Sequence, residues 1–297
     1  MHGLVLSVSV AILMLQGSAA PAQEPPGPRA GEVYELRLLR ESSQTATDGS
    51  SGSTHDADVL VERVIAVREG GVELEFDLPE ETTAEDRART WQFPVRVFKP
   101  AQGPLQLLNG PELEARVDRW LAAGGMTRES CGHWIFTWNA FRIECDPQSV
   151  MQLLAAVDLA SHDLRDGTAF QEAGGLGGTL RRESADRNGA VYVVEMAVDP
   201  QAVREERARA DAAMREIMGD SPELGQAMHA RTPDQISGTI KIRFETDAAG
   251  HVRRRTTVTE LAMDGPGGRH ETETVTETVE RRLAASPDRA RSQAGLR

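Results

Sequence analysis

The chain has 297 residues, a formal net charge of −13 and only 4% aromatic residues. Its acidic balance argues against nucleic acid and anionic membrane surfaces as partners, since both are bound by clustered Lys and Arg; the basic residues are almost all arginine, with Lys99 and Lys241 the two lysines. Hydrophobic residues make up 39%, enough for a core that must rest mainly on Val, Leu, Ile and Ala.

At the N-terminus, Leu4 to Leu15 is an apolar run whose polar members are serines. It is shorter than the roughly 20 apolar residues a bilayer requires. It reads instead as the core of a secretory signal peptide spanning 1–22, with Ala20-Pro21-Ala22 as the cleavage site. A proline-rich leader follows at 23–31. The expected location is the periplasm or the exterior, with no membrane span once the signal is removed.

From residue 33 the apolar pattern has period two, the rhythm of a strand with one dry face. Val33 to Arg40 is the first expected strand. Ser42 to Thr54, rich in Ser, Thr, Gly and Asp, is expected to be a loop. Val59 to Arg68 alternates again through Val59, Val61, Arg63, Ile65 and Val67, and Gly70-Gly71 turns the chain. Val72, Leu74, Phe76 and Leu78 then point one way, while Glu73, Glu75 and Asp77 point to a wet face. Trp91 to Phe98 is a further strand, with Pro94 placing it at an edge or a bulge.

Three helices are expected, near 111–122, 147–158 and 200–218. The first has a stripe of Leu113, Val117, Trp120 and Leu121 and stops at Gly124. The second opens on Asp146-Pro147, with Asp as the cap, and buries Val150, Leu153, Leu154 and Val157. The third opens on Asp199-Pro200 and has a thin stripe of Val203, Ala210, Met214 and Ile217. Gly174-Gly175-Leu176-Gly177-Gly178 between the last two reads as a flexible linker, because it lacks the Lys and strand-to-helix setting of a phosphate loop. After a strand at Ala190 to Val198, the C-terminal region reads as a three-strand meander, Thr239 to Glu245, His251 to Met263 and Arg269 to Arg282. The tail 284–297 is polar and expected to be disordered.

Two cysteines in an exported chain are expected to pair. A hairpin turning at Trp138-Asn139 sets Cys131 directly opposite Cys145, at a spacing a disulfide accepts. A Cys131 nucleophile with His133 is the alternative. Within the same hairpin Trp134, Phe136 and Trp138 share a face; they belong either to the core or to the rim of an apolar ligand pocket. The histidines show no metal-ligand spacing. The acids Glu73, Glu75, Asp77, Glu80 and Glu81 read as a solvated face rather than a glycosidase pair. No catalytic, metal or cofactor motif stands out.

The layout resembles the periplasmic lipoprotein-carrier family and its relatives, in which a strongly bent antiparallel sheet is partly covered by helices and encloses an apolar cavity for acyl chains. The resemblance is carried by the signal peptide, the order of strands and helices, and the hairpin from Thr239 to Val252, whose first strand ends in Asp247-Ala248-Ala249-Gly250. It implies an α+β fold over 32–283, an open or half barrel with about three covering helices, and gives no functional residue. The expected function is that of an exported, non-catalytic binding protein for an apolar or lipid-like ligand. An envelope protein-interaction module is the alternative and a secreted hydrolase the third possibility.

Overall fold

The computed structural model describes residues 27–136, 140–159, 164–219, 224–231 and 234–284. The expected signal peptide and the tail beyond 284 lie outside the described residues, as does the leader up to residue 26.

The fold is a mixed α+β arrangement dominated by one antiparallel sheet. In its N-terminal half the strands are Val33–Ala46 (β1), Ser51–Arg68 (β2), Gly71–Asp77 (β3), Val95–Pro100 (β4) and the two-residue Gln106–Leu107 (β5), with helix Ala84–Arg89 (α1) between β3 and β4. Helix Gly110–Ala123 (α2), the small hairpin Trp134–Phe136 (β6) and Ala140–Arg142 (β7), and helix Ser149–Val157 (α3) follow. The C-terminal half has Ala169–Phe170 (β8) paired with Gly178–Thr179 (β9), then Arg181–Asp186 (β10) and Gly189–Ala197 (β11). Helices Pro200–Ile217 (α4) and Leu224–Arg231 (α5) precede Gln235–Thr246 (β12), Val252–Asp264 (β13) and His270–Leu283 (β14). The ten-stranded sheet runs β10-β11-β12-β13-β14-β1-β2-β3-β4-β5 and stays open, with β10 and β5 at its edges.

The register explains why one face is dry. Leu36 on β1 lies opposite Leu60 on β2, Val64 opposite Leu74 on β3, and Leu74 opposite Val97 on β4; all are buried. In the other half Phe244 faces Tyr192 and Ile242 faces Val194. Leu38 is opposite Val279, which is opposite Arg255, which is opposite Phe244, so both apolar groups lie on the same side of the sheet. They form two cores. One gathers β1–β4, α2, the β6–β7 hairpin and α3; the other gathers β11, β12, Leu180 and Val203 of α4. The reverse face carries charged and hydroxyl side chains such as Arg37 opposite Glu280 and Thr45 opposite Thr272.

The helices show how amphipathic stripes find this face. In α2 the buried residues are Leu113, Val117 and Leu121, one turn apart on a single stripe. In α3 they are Val150, Leu154 and Val157, while Leu153 is exposed, against expectation. Asp146 does not cap α3 directly: the helix begins at Ser149, and the Asp146 carboxylate accepts the Gln148 N–H in a turn just before it. The stripe expected for α4 is also corrected. Val203 and Ala208 are its buried residues and Ala210 and Met214 are exposed, because arginines on the inward side reach the sheet, Arg207 meeting Glu271 and Glu273 of β14.

Three further expectations give way. Residues 42–54 are not a loop: β1 and β2 run on as a hairpin, turned over 47–50, with Ser42 opposite Thr54 and their hydroxyls 2.8 Å apart. Polar composition there means that both faces meet water, not that pairing stops. The glycine-rich stretch is not a flexible linker. Leu176 N–H donates to Ala197 O at 2.9 Å, Asp199 N–H donates to Gly174 O at 2.7 Å, and a Cβ on Gly178 would lie 2.7 Å from Glu195 O. Glycine is present because backbone passes directly over backbone. The strand after Trp91 starts only beyond Pro94, at Val95, and Trp91 itself is buried in the core.

Candidate functional site

Where β1 begins and β14 ends, the two cores part and leave a cleft of about 960 Å³. This size falls near the upper end of the roughly 300–1,000 Å³ usual for small-molecule sites. Leu74 and Phe76 of β3, with Tyr34, Glu62 and Arg281, line its floor. One wall is the β4 end and the loop after it, with Lys99, Pro100 and Leu105; the opposite wall is the β12–β13 turn with His251, Val252 and Arg253. Residues 157–159 close the back. Val157 is buried in one core and Leu159 in the other, and Asp158 between them pairs with Lys99.

The polar floor follows from strand register. Tyr34 is opposite Glu62 on β2 and Leu36 is opposite Arg281 on β14, so three neighbouring strands aim Arg281, Tyr34 and Glu62 at the same side. The Arg281 guanidinium lies over the Tyr34 ring, 3.3 Å from its centre, and reaches Glu62 with two bonds, Nη2 to Oε1 at 2.6 Å and Nε to Oε2 at 3.2 Å. Glu62 is 6% exposed. A charge so buried is tolerable only when paired and hydrogen-bonded. Burial works to lower the Arg281 pKa, but the Glu62 hydrogen bond and charge outweigh it and hold the group above its ordinary value.

The network continues outward. The Tyr34 hydroxyl donates to Glu32 Oε2 at 2.8 Å, and the Arg29 backbone N–H donates to the same oxygen at 3.0 Å. That backbone N–H, with help from Tyr34 and against burial, holds the Glu32 carboxyl below the ordinary range. Burial, then the neighbouring Glu32, pushes the Tyr34 hydroxyl up. The arrangement can fix a polar head group while the apolar walls take a chain. Among the described residues no group of three or more His, Cys, Asp or Glu is placed to hold a metal.

The disulfide between Cys131 and Cys145 is formed, with Cα atoms 5.7 Å apart, and no free cysteine is left. Trp134 pairs with Arg142 and Phe136 with Ala140, a register that, continued outward, sets the cysteines opposite each other; the expected turn at Trp138-Asn139 lies outside the described residues. A Cys131 nucleophile is thereby excluded. Trp134 is half-buried and does not line the cleft; its neighbour Ile135 packs against the N-terminal core instead. Phe136 lies on β6, and Trp138 lies outside the described residues. The acids of β3 are not simply solvated. Glu73 is buried and paired with Arg68, Glu75 and Asp77 meet Arg63, and Asp77 also meets Arg87 at 2.9 Å.

Arg281, Glu62 and Tyr34 escaped sequence reasoning. Arg281 and Glu62 stand 219 positions apart, and no local pattern joins them. The expected alternation on β2 falls on the other face: Leu60, Glu62 and Val64 are the buried residues, while Ile65 and Val67 are exposed, so a charge flanked by Leu60 and Val64 was the available signal.

No family model matches the chain, and no curated protein matches it. Among solved structures, one of lipovitellin concerned with its lipid–protein interactions is similar at 10% identity and a TM-score of 0.39, over 87% of this chain and 26% of that one. This chain thus spans about a quarter of lipovitellin's length. Ail, the attachment invasion locus protein of Yersinia pestis, is similar at 4% identity and a TM-score of 0.13, over 86% of this chain and 100% of Ail. A hot-dog-fold protein of unknown function from Alicyclobacillus acidocaldarius gives 11% and 0.12, over 86% of this chain and 81% of its own. At these scores none establishes a shared fold.

Proposed function

We propose that the protein is an exported, non-catalytic binding protein that takes an apolar, lipid-like ligand into the cleft between its two cores. One observation carries this: a cleft of about 960 Å³ on the dry side of the sheet, whose lining includes Val72, Leu74, Phe76, Leu105 and Val252. The disulfide supports an oxidising compartment such as the periplasm or the exterior. No helix of the described residues is long and apolar enough to cross a membrane. The protein-docking alternative draws less support, because the exposed edge strand β10 is protected by Arg181, Arg182, Glu183 and Asp186 and by a register shift at 182–184, devices that discourage strand addition.

Native mass spectrometry of the gently purified protein and uptake of a fluorescent fatty acid test the proposal. Bound lipid and saturable uptake are expected. Leu105→Trp, which fills the cleft, is expected to weaken uptake by about tenfold, the equivalent of 1.4 kcal/mol. Trp134→Ala is expected to leave uptake unchanged; loss on that substitution alone would move the site to the cystine hairpin and its rings Trp134, Phe136 and Trp138. Absence of both lipid and uptake removes the proposal.

A further inference from the structure

Resting on that cleft, we propose that its ligand is an anionic amphiphile, a single long-chain carboxylate whose head group is held by Arg281. Two independent features point there. The first is charge. In a chain of net charge −13, the cleft lining has five cationic side chains, Arg29, Arg68, Lys99, Arg253 and Arg281, against four carboxylates. Four of the five are paired, Arg68 with Glu73, Lys99 with Asp158, Arg253 with Glu245 and Arg281 with Glu62, so the lining is close to neutral and repels an incoming anion less than the chain's overall charge would.

The second is geometry. Arg281 directs Nε and Nη2 to Glu62 and rests on the Tyr34 ring, so its rotamer is fixed before any ligand arrives. Among the described residues Nη1 donates to no protein acceptor, and the residue lines the cleft. A guanidinium clamped along one edge with donors left on the other is a preorganised receptor for a carboxylate, which accepts parallel N–H bonds. Beside it, Leu74 and Phe76 begin the apolar floor, so head and tail are accommodated without turning the chain.

The experiment measures binding of two probes of equal chain length, oleate and oleyl alcohol, to the full protein by displacement of a fluorescent fatty acid. Wild type is expected to bind oleate about tenfold tighter, with the preference shrinking as salt is raised. The double variant Glu62→Gln/Arg281→Met removes the head-group donors without leaving either buried charge alone. It is expected to bring the two affinities within about threefold by lowering that of oleate, the alcohol being unaffected. Equal binding of the two probes by wild type, or a preference for oleate that survives in a folded double variant, overturns the proposal while leaving the apolar cleft standing. Binding of neither probe removes the cleft and the proposal together.

Discussion

Arg281 of β14 reaches across β1, over the ring of Tyr34, to bond Glu62 of β2. Removing one charge leaves the other buried and uncompensated, at a cost of about 3–5 kcal/mol. Glu62→Ala should therefore lower the denaturation midpoint sharply, and adding Arg281→Met should recover much of the loss. Chemical denaturation of the two variants checks this. Tyr34 makes a separate forecast. Its pKa is raised in the folded state by burial and then by Glu32, so its contribution to stability is complete below the ordinary tyrosine value and falls as pH rises past it. Wild type should lose stability in the alkaline range more steeply than Tyr34→Phe. Glu32 acts at the other end. Its pKa is lowered, first by the Arg29 N–H, so its contribution is present above the ordinary carboxylate value and fades as pH drops below it. At residue scale the sequence was least informative. The alternation of Tyr34, Leu36 and Leu38 placed these side chains on one face, but nothing local announced that Arg281, from the far end of the chain, would lie over the Tyr34 ring.

At the scale of elements, period-two alternation placed the strands and the 3.6-residue stripe placed α2. Pattern placed elements better than it placed their buried faces, as Leu153 of α3 and Met214 of α4 show, and composition misled outright. Residues 42–54 are polar because the β1–β2 hairpin is wet on both sides, and hydroxyl-bearing residues pair there as well as apolar ones. The glycines at 174–178 mark a crossing and not a hinge, since Gly178 leaves no room for a methyl group beside Glu195 O and the Val194 side chain. Gly178→Ala should cost about 1–3 kcal/mol through forced backbone movement, whereas Gly225→Ala, where a Cβ meets nothing, should not lower stability; thermal melts of both decide. The disulfide was legible because the chain has two cysteines, spaced as a short hairpin would bring them together. A Cys131→Ser/Cys145→Ser variant should lose about 3 kcal/mol, the loop-closure value for this separation, as measured by denaturant titration under non-reducing conditions.

At the scale of the molecule, adjacent strands of the sheet are neighbours in sequence with one exception, the pairing of β14 with β1. We propose on this ground that residues 32–283 form one domain: each half alone would expose a long edge, β1 or β14. Deleting residues 270–284 should abolish cooperative unfolding. A circular permutant that joins Ala284 to Glu32 and opens the β10–β11 turn at Arg187 should fold, because Ala284 N–H already donates to Val33 O at 2.8 Å. Far-UV circular dichroism and melting separate the two outcomes. The same strand order fixes when the molecule can be completed. During synthesis, or passage through a membrane channel, the central seam waits for the last strand to emerge. Until then the first strand lacks its partner and Arg281 has not reached the floor of the cleft. If the chain is exported as proposed, it would therefore complete its cleft only after the β14 segment has crossed.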